Sequence, residues 1–296
     1  MLKYRAISFP LLMALLWGIF FAPMNVGMWI FAFCAVTVIG ISSYECAKMV
    51  NKGLFPCSPK LAGILSALIM ALLLASHCIF RCECGKETCN SAVCDFAMVI
   101  VIMLLVYLPW LTAVFCGDKK AKKGFTTVAA VLATVIPFGM VAMLYCSDPK
   151  YLFFVIMVTK SMDTGGYVFG MLSNKLLPGG NHKLCPSISP KKSWEGAFGG
   201  ILLSVLTAWA LYKIFPAWDF SAELGKEALW KVLAYGAVLA VASICGDLTE
   251  SALKRKCGVK DSGALIPGMG GPLDVLDSFI YVGPVCMIFS KIVSRF

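Results

Sequence analysis

Charge is scarce in this chain: Asp, Glu, Lys and Arg make up 14% of its 296 residues, against about 25% in an average soluble domain. Histidine is nearly missing, with His77 and His182 alone. No hydrophilic stretch exceeds about thirty residues, and no internal repeat, heptad seam or low-complexity linker stands out. These absences exclude a water-soluble globule and a separate soluble domain. Any chemistry must be built from helix ends and short loops.

What is present is apolar. The apolar share is 59%, above the roughly 45–50% of soluble domains. Nine helical spans of about 20 residues would need roughly 180 apolar positions, and 59% of 296 is about 175. Uninterrupted apolar stretches fall near residues 7–23, 26–43, 61–80, 96–117, 125–145, 151–172, 197–216, 228–246 and 273–293. The expected fold is therefore all-α, a polytopic integral membrane protein with about nine transmembrane helices. Lys3 and Arg5 before the first stretch resemble a signal peptide, but a second apolar run follows at once and no small-x-small cleavage site is evident. The first stretch is expected to be a span.

The 26 Lys and Arg against 16 Asp and Glu give a net charge of +10. In a membrane chain this excess is read loop by loop, because Lys and Arg resist translocation. Lys48, Lys52 and Lys60, then Lys119, Lys120, Lys122 and Lys123, then Lys175, Lys183, Lys191 and Lys192, then Lys254, Arg255, Lys256 and Lys260 all fall on one side of a nine-span topology. That side is expected to be cytoplasmic, with the amino terminus inside. Anionic lipid and anionic nucleotide are the expected partners, not nucleic acid.

Polar residues set against apolar spans concentrate in residues 160–278, whereas the first half is almost featureless. Two domains follow: residues 1–150, about five spans facing lipid or a dimer partner, and residues 151–296, a catalytic region with cytoplasmic loops. In VTKSMDTGGYVFG, Lys160 and Asp163 lie three apart on one helix face and can pair. Gly165 and Gly166 then permit close approach of a backbone or ligand. In ISPKKSWEGAFGG, Lys191 and Lys192 offer positive charge, Ser189 and Ser193 hydroxyls, and Glu195 sits near a helix start. The combination suits phosphate at a helix N-terminus, although a Lys pair beside Trp, here Trp194, is more often a membrane-border anchor.

The segment Cys245–Phe279 is the most informative. Asp247 and Glu250 are three apart at the end of one span, and Asp274 and Asp277 are three apart at the start of the next. Carboxylates gathered at a membrane border repel unless a counter-charge is supplied, and a hard divalent cation, Mg²⁺, supplies it through oxygen ligands. Lys254, Arg255, Lys256 and Lys260, with Asp261, Ser262 and a run of glycines, lie between the pairs. Basic residues and flexible backbone beside metal carboxylates describe a polyphosphate site.

At these residues the chain resembles the phosphatidate cytidylyltransferase (CDP-diacylglycerol synthase) family. The family signature runs Ser-x-Leu-Lys-Arg, four residues, Lys-Asp-x-Gly, Pro-Gly-His-Gly-Gly and Asp-Arg-x-Asp. The chain carries Ser251, Leu253, Lys254, Arg255, Lys260, Asp261, Gly263, Pro267, Gly268, Gly270, Gly271, Asp274 and Asp277 in the same register. The upstream GDLTES, ISPKKSWEG and Asp163-Thr164-Gly165-Gly166 also look like family features, so the resemblance covers roughly residues 160–280. Met269 replaces the family His, Val275 its Arg, and Pro272 a usual aliphatic. A phosphate monoester nucleophile is already ionised near neutral pH, so these are read as tolerated substitutions.

The resemblance implies transfer of CMP from CTP to phosphatidic acid, giving CDP-diacylglycerol and pyrophosphate in phospholipid biosynthesis. It implies metal binding by Asp247, Asp274 and Asp277, with Mg²⁺ alone or beside a second cation, and a homodimer in the bacterial cytoplasmic (inner) membrane with its active site facing the cytoplasm. To this we add charge stabilisation by Lys254, Arg255 and Lys260 with neighbouring Asp261. Ser189, Lys191, Lys192 and Ser193 are assigned triphosphate contacts, and Glu195, Asp163 and Lys160 are grouped with them as substrate-binding. A CTP-dependent polyprenol or phytol kinase would use similar parts but release CDP. An ion-coupled transporter would use Lys160, Asp163 and the Asp pairs as a relay, but the halves lack corresponding polar positions.

Cys82, Cys84, Cys89 and Cys94 form a separate cluster, expected outside the cell, where disulfides are permitted. Disulfides or no special role are expected, with zinc the alternative, although no CxxC pair is present. Gel mobility with and without reductant separates a disulfide-closed loop, which shifts, from free thiols, which do not.

Overall fold

The computed structural model describes residues 14–84, 118–215, 229–266 and 270–293. After a helical stretch at 14–21 come α1 (Met24–Gly53), α2 (Pro59–Cys84), α3 (Asp118–Ser147) and α4 (Pro149–Leu176). Strands β1 (Lys183–Cys185) and β2 (Ser189–Ser193) follow, then α5 (Trp194–Ile214), α6 (Leu229–Lys256), α7 (Pro272–Leu276) and α8 (Phe279–Val293). The expected helical membrane fold holds, with one antiparallel hairpin added among the described residues.

Among the described residues six helices are long and apolar enough to cross a membrane: Asn25–Gly53, Pro59–His77, Lys122–Ser147, Trp194–Ile214, Leu229–Lys256 and Pro272–Phe289. They match six of the nine expected spans. The 96–117 candidate and residues 7–13 of the 7–23 candidate lie outside the described residues. The 151–172 candidate is a helix of ample length, but it is not among the six, because it carries the polar run around Lys160 and Asp163. The cysteine cluster also lies outside the described side chains; Cys82 and Cys84 close the backbone of α2. Trp29, Phe33, Ile64 and Phe198 are exposed on their helices, as lipid-facing side chains should be.

The chain divides into two compact units. The first comprises Met1–Gly139 and Lys256–Val275, the second Met140–Arg255 and Leu276–Phe296. In the first, α1 and α2 cross at Gly40 and Gly63, where a Cβ on Gly63 would stand 3.0 Å from the Gly40 carbonyl. Ser66 Oγ donates to Ser43 Oγ across the same interface at 2.8 Å. The start of α2 is tied to α3 by the Ser58 amide, which donates to Thr127 Oγ1 at 3.0 Å.

In the second unit, α4 begins at Asp148, whose side chain accepts from the Lys150 amide, with Pro149 as the first helical residue. Its glycines meet those of α5. A Cβ on Gly165 would lie 2.9 Å from the Gly200 Cα, and one on Gly196 would lie 2.7 Å from the Gly166 carbonyl. Backbone-to-backbone packing of this kind is how small residues drive helix association in a bilayer. Ser204 Oγ donates to the Val158 carbonyl at 3.0 Å, and Thr207 Oγ1 to Ser161 Oγ at 2.9 Å, fastening the two helices further.

The hairpin enters α5 without a gap. Lys183 pairs with Ser193 and Cys185 with Ser189, and the Trp194 amide donates to the His182 carbonyl at 2.9 Å. Ser193 then caps α5, accepting from the Gly196 amide at 3.1 Å. Gly200 has no room for a side chain, since a Cβ would sit 2.5 Å from Met162. Gly200→Val should therefore destabilise the second unit by about 1–3 kcal/mol, read as a lowered thermal midpoint in detergent, whereas Gly179→Ala, in open space, should leave the midpoint unchanged.

Candidate functional site

The second unit contains a cavity of about 310 Å³, at the small end of ligand pockets. It is lined by α4 (Met162, Asp163, Gly166, Tyr167), the hairpin (Leu184, Ser189, Lys191, Lys192, Ser193), the start of α5 (Gly196, Ala197) and α6 (Ile244, Asp247). Asp163, Ser189, Lys191, Lys192, Ser193 and Asp247, named from sequence in three separate segments, thus share one wall. The hairpin does this: alternation along β2 and the cap at Ser193 carry the basic run over the α4–α5 glycine crossing.

The counter-charges are arranged in pairs. Lys192 Nζ meets Asp247 Oδ2 at 2.5 Å, Lys160 Nζ meets Asp163 Oδ2 at 3.0 Å, and Lys254 Nζ meets Glu250 Oε2 at 2.5 Å. Lys160 also donates to Ser278 Oγ at 3.1 Å and lies 5.4 Å from the centre of the Phe279 ring. Glu250 is fully buried and Lys254 nearly so, and they are a turn apart on α6. Lys254 therefore serves first to neutralise Glu250. Arg255 donates from Nε to the Ile188 carbonyl at 3.3 Å, tethering the end of α6 to the hairpin turn. Glu195 does not line the cavity; it faces His182, accepting from its amide at 3.1 Å and meeting Nδ1 at 2.7 Å.

Asp277 does not continue a helix with Asp274. α7 stops at Leu276, and Asp277 and Ser278 form the turn before α8. Asp277 Oδ1 accepts from the Ser278 amide at 2.6 Å, and the carboxylate lies in the field of Asp247, Glu250, Lys160 and Asp163. Gly246 of α6 closes on this break, since a Cβ there would stand 2.5 Å from the Asp277 carbonyl. A broken helix at membrane depth is tolerated where protein covers it. Three lysines (Lys160, Lys192, Lys254) thus pair with three carboxylates (Asp163, Asp247, Glu250), and the Asp277 carboxylate lies near these pairs.

Carboxylate oxygens are the donors a hard cation takes. Among the described residues no three His, Cys, Asp or Glu side chains are grouped to enclose a metal. Mg²⁺ is typically held by one or two carboxylates, with water and substrate phosphates completing its shell, and Asp247 and Asp277 are carboxylates that could serve in that way.

Asp274 belongs to the first unit. Its Oδ2 accepts from the Ser262 amide at 2.9 Å, Ser262 Oγ at 2.8 Å and the Gly271 amide at 2.8 Å. Lys260 and Asp261 are exposed immediately before Ser262. Gly270 has φ +93°, a backbone that favours glycine, and pairs with Ile266 in an isolated bridge. Met269 lies outside the described residues. The first half of the chain is not featureless: Glu45 on α1 is buried and accepts from Ser262 Oγ at 3.2 Å and the Leu273 amide at 3.3 Å. A single carboxylate in α1, just past the 26–43 apolar stretch, was the signal for it.

A family model described as the cytidylyltransferase family matches residues 4–293, well beyond the 160–280 covered by the signature. Among curated proteins, the phosphatidate cytidylyltransferase of Staphylococcus epidermidis is 34% identical over 230 residues, 76% of this chain and 78% of that protein. The enzyme of the same description from Staphylococcus saprophyticus is 42% identical over 175 residues, 57% of this chain and 62% of that one. That of Staphylococcus aureus is 32% identical over 197 residues, 65% and 70% of the respective chains.

Removing one partner of a buried pair strands the other charge, at about 3–5 kcal/mol. Lys254→Met should lower the thermal midpoint sharply, and the added change Glu250→Leu should restore most of the loss.

Proposed function

The chain belongs to the cytidylyltransferase family, and from that premise we propose that it transfers CMP from CTP to phosphatidic acid within a bacterial membrane. The observation that carries this reading is the 310 Å³ cavity, which sets two lysines and two serine hydroxyls of one hairpin beside the Asp247 carboxylate in a unit built of membrane helices. The lysines attract a polyphosphate, and the adjoining carboxylates recruit the cation that accompanies it.

In the reaction a phosphatidate oxygen attacks the α-phosphorus of CTP, a new P–O bond forms, and the bond to the β-phosphate oxygen breaks to release pyrophosphate. The attacking phosphate is already anionic, so no side chain need remove a proton. Lys191 and Lys192, with Ser189 and Ser193, hold the triphosphate in line. Binding it draws Lys192 partly away from Asp247, freeing that carboxylate for the cation. Asp247 and Asp277 would hold Mg²⁺, which when bound neutralises the phosphate oxygens. Asp274, Lys260 and Asp261 belong to the loop that completes the signature. Catalysis is then alignment and electrostatics.

The same reading keeps the site on the cytoplasmic side, where the Lys-rich loops lie by the positive-inside pattern and where CTP arrives from water and the lipid from the bilayer. The homodimer implied by the resemblance is part of it. Purified protein in detergent, given phosphatidate, labelled CTP and Mg²⁺, should place nucleotide label in the lipid phase and release pyrophosphate. Asp277→Asn should reduce that label by at least about a hundredfold. Release of CDP with a phosphorylated lipid would instead identify a lipid kinase.

A further inference from the structure

The mechanism above makes no use of Glu45, yet this carboxylate is buried in α1 and reaches the signature loop from more than two hundred residues away in sequence. We propose that Glu45 is a positioning residue that clamps the loop between Lys260 and Asp274 onto α1 in the shape the transfer requires. The proposal rests on the reading that this loop serves the reaction.

Three features support it, all within the first unit. Glu45 Oε2 accepts from Ser262 Oγ at 3.2 Å and from the Leu273 amide at 3.3 Å, so it grips the loop at both ends. A Cβ on Gly263 or on Gly271 would overlap the Glu45 carboxylate, so two glycines of the signature match exist to admit this side chain. A Cβ on Gly53, at the end of α1, would likewise overlap the Cys257 backbone, which places the start of the same segment against the same helix.

Ser262 is the shared element. Its hydroxyl carries one proton and lies 2.8 Å from Asp274 Oδ2 and 3.2 Å from Glu45 Oε2. It therefore donates to one carboxylate at a time, while its amide donates to Asp274. Glu45 and Asp274 hold Ser262 from two sides, and Lys260 and Asp261 are presented by the backbone so fixed. A glutamine at position 45 keeps an oxygen for the Leu273 amide; an alanine keeps nothing.

The test compares the parent with Glu45→Gln, Glu45→Ala and Ser262→Ala in detergent, reading hydrogen exchange across residues 257–276 and steady-state kinetics with CTP and phosphatidate. Glu45→Ala and Ser262→Ala should speed exchange in that segment and lower kcat by roughly tenfold to a hundredfold, with KM for the lipid unchanged. Glu45→Gln should stay within about threefold of the parent. Gly263→Ala should be harmful in the parent and much less so beside Glu45→Ala, because the overlap is gone.

Unchanged exchange in Glu45→Ala, or in Ser262→Ala should the first variant not survive extraction, overturns the clamp. So does a Glu45→Gln protein as inactive as the alanine variant, which would make the charge itself the requirement, and so does strict additivity with Gly263→Ala. A parent without cytidylyl transfer, in which Glu45→Ala still speeds exchange, would overturn the proposed function and leave the clamp standing.

Discussion

A carboxylate taken out of water beside a bilayer must be given a counter-charge, and the second unit is organised around that requirement. Lys192 meets Asp247, Lys160 meets Asp163, and Lys254 meets Glu250. Each pair joins a residue of one sequence segment to another or locks one turn of a helix. Isolated ions at this depth would be unaffordable. The pairs differ in setting: the partner lysine sits on a strand at a cavity wall in Lys192–Asp247. Where the pair is buried inside α6, as Glu250 and Lys254 are, it is structural and stays closed.

Small residues make this arrangement possible. Because Gly165 and Gly166 of α4 lie against Gly196 and Gly200 of α5, the two backbones approach closely, and the hairpin between them is brought over the crossing. The cap at Ser193 sets the direction in which α5 leaves. Lys191 and Lys192, the two residues before it, are thereby held by strand pairing instead of being left on a free loop. A rigid element carries precision to the charges it bears.

Within the signature, Asp274 and Asp277 take different local hydrogen-bond partners. Asp274 and Asp277 are three apart, a distance that on one helix would put both on a single face. The helix instead ends at Leu276, Asp274 turns its oxygens to Ser262 and Gly271, and Asp277 is left with the charges of the second unit. The glycines of the same stretch acquire a reason as well. Gly270 takes a positive φ, while Gly263 and Gly271 leave room for a side chain of α1.

Membrane insertion, a helical architecture, the polar concentration in residues 160–278 and the family were all legible in the residues themselves, because hydropathy, charge placement and a spaced motif are properties of the chain read in one dimension. Glu45 could not be connected to the signature in that way, nor could the hairpin under Lys191 and Lys192 or the break at Asp277 be seen. Those depend on which backbones can approach and which buried carboxylates find donors, and such choices are made only when segments far apart in the chain compete for the same hydrogen bonds and the same space.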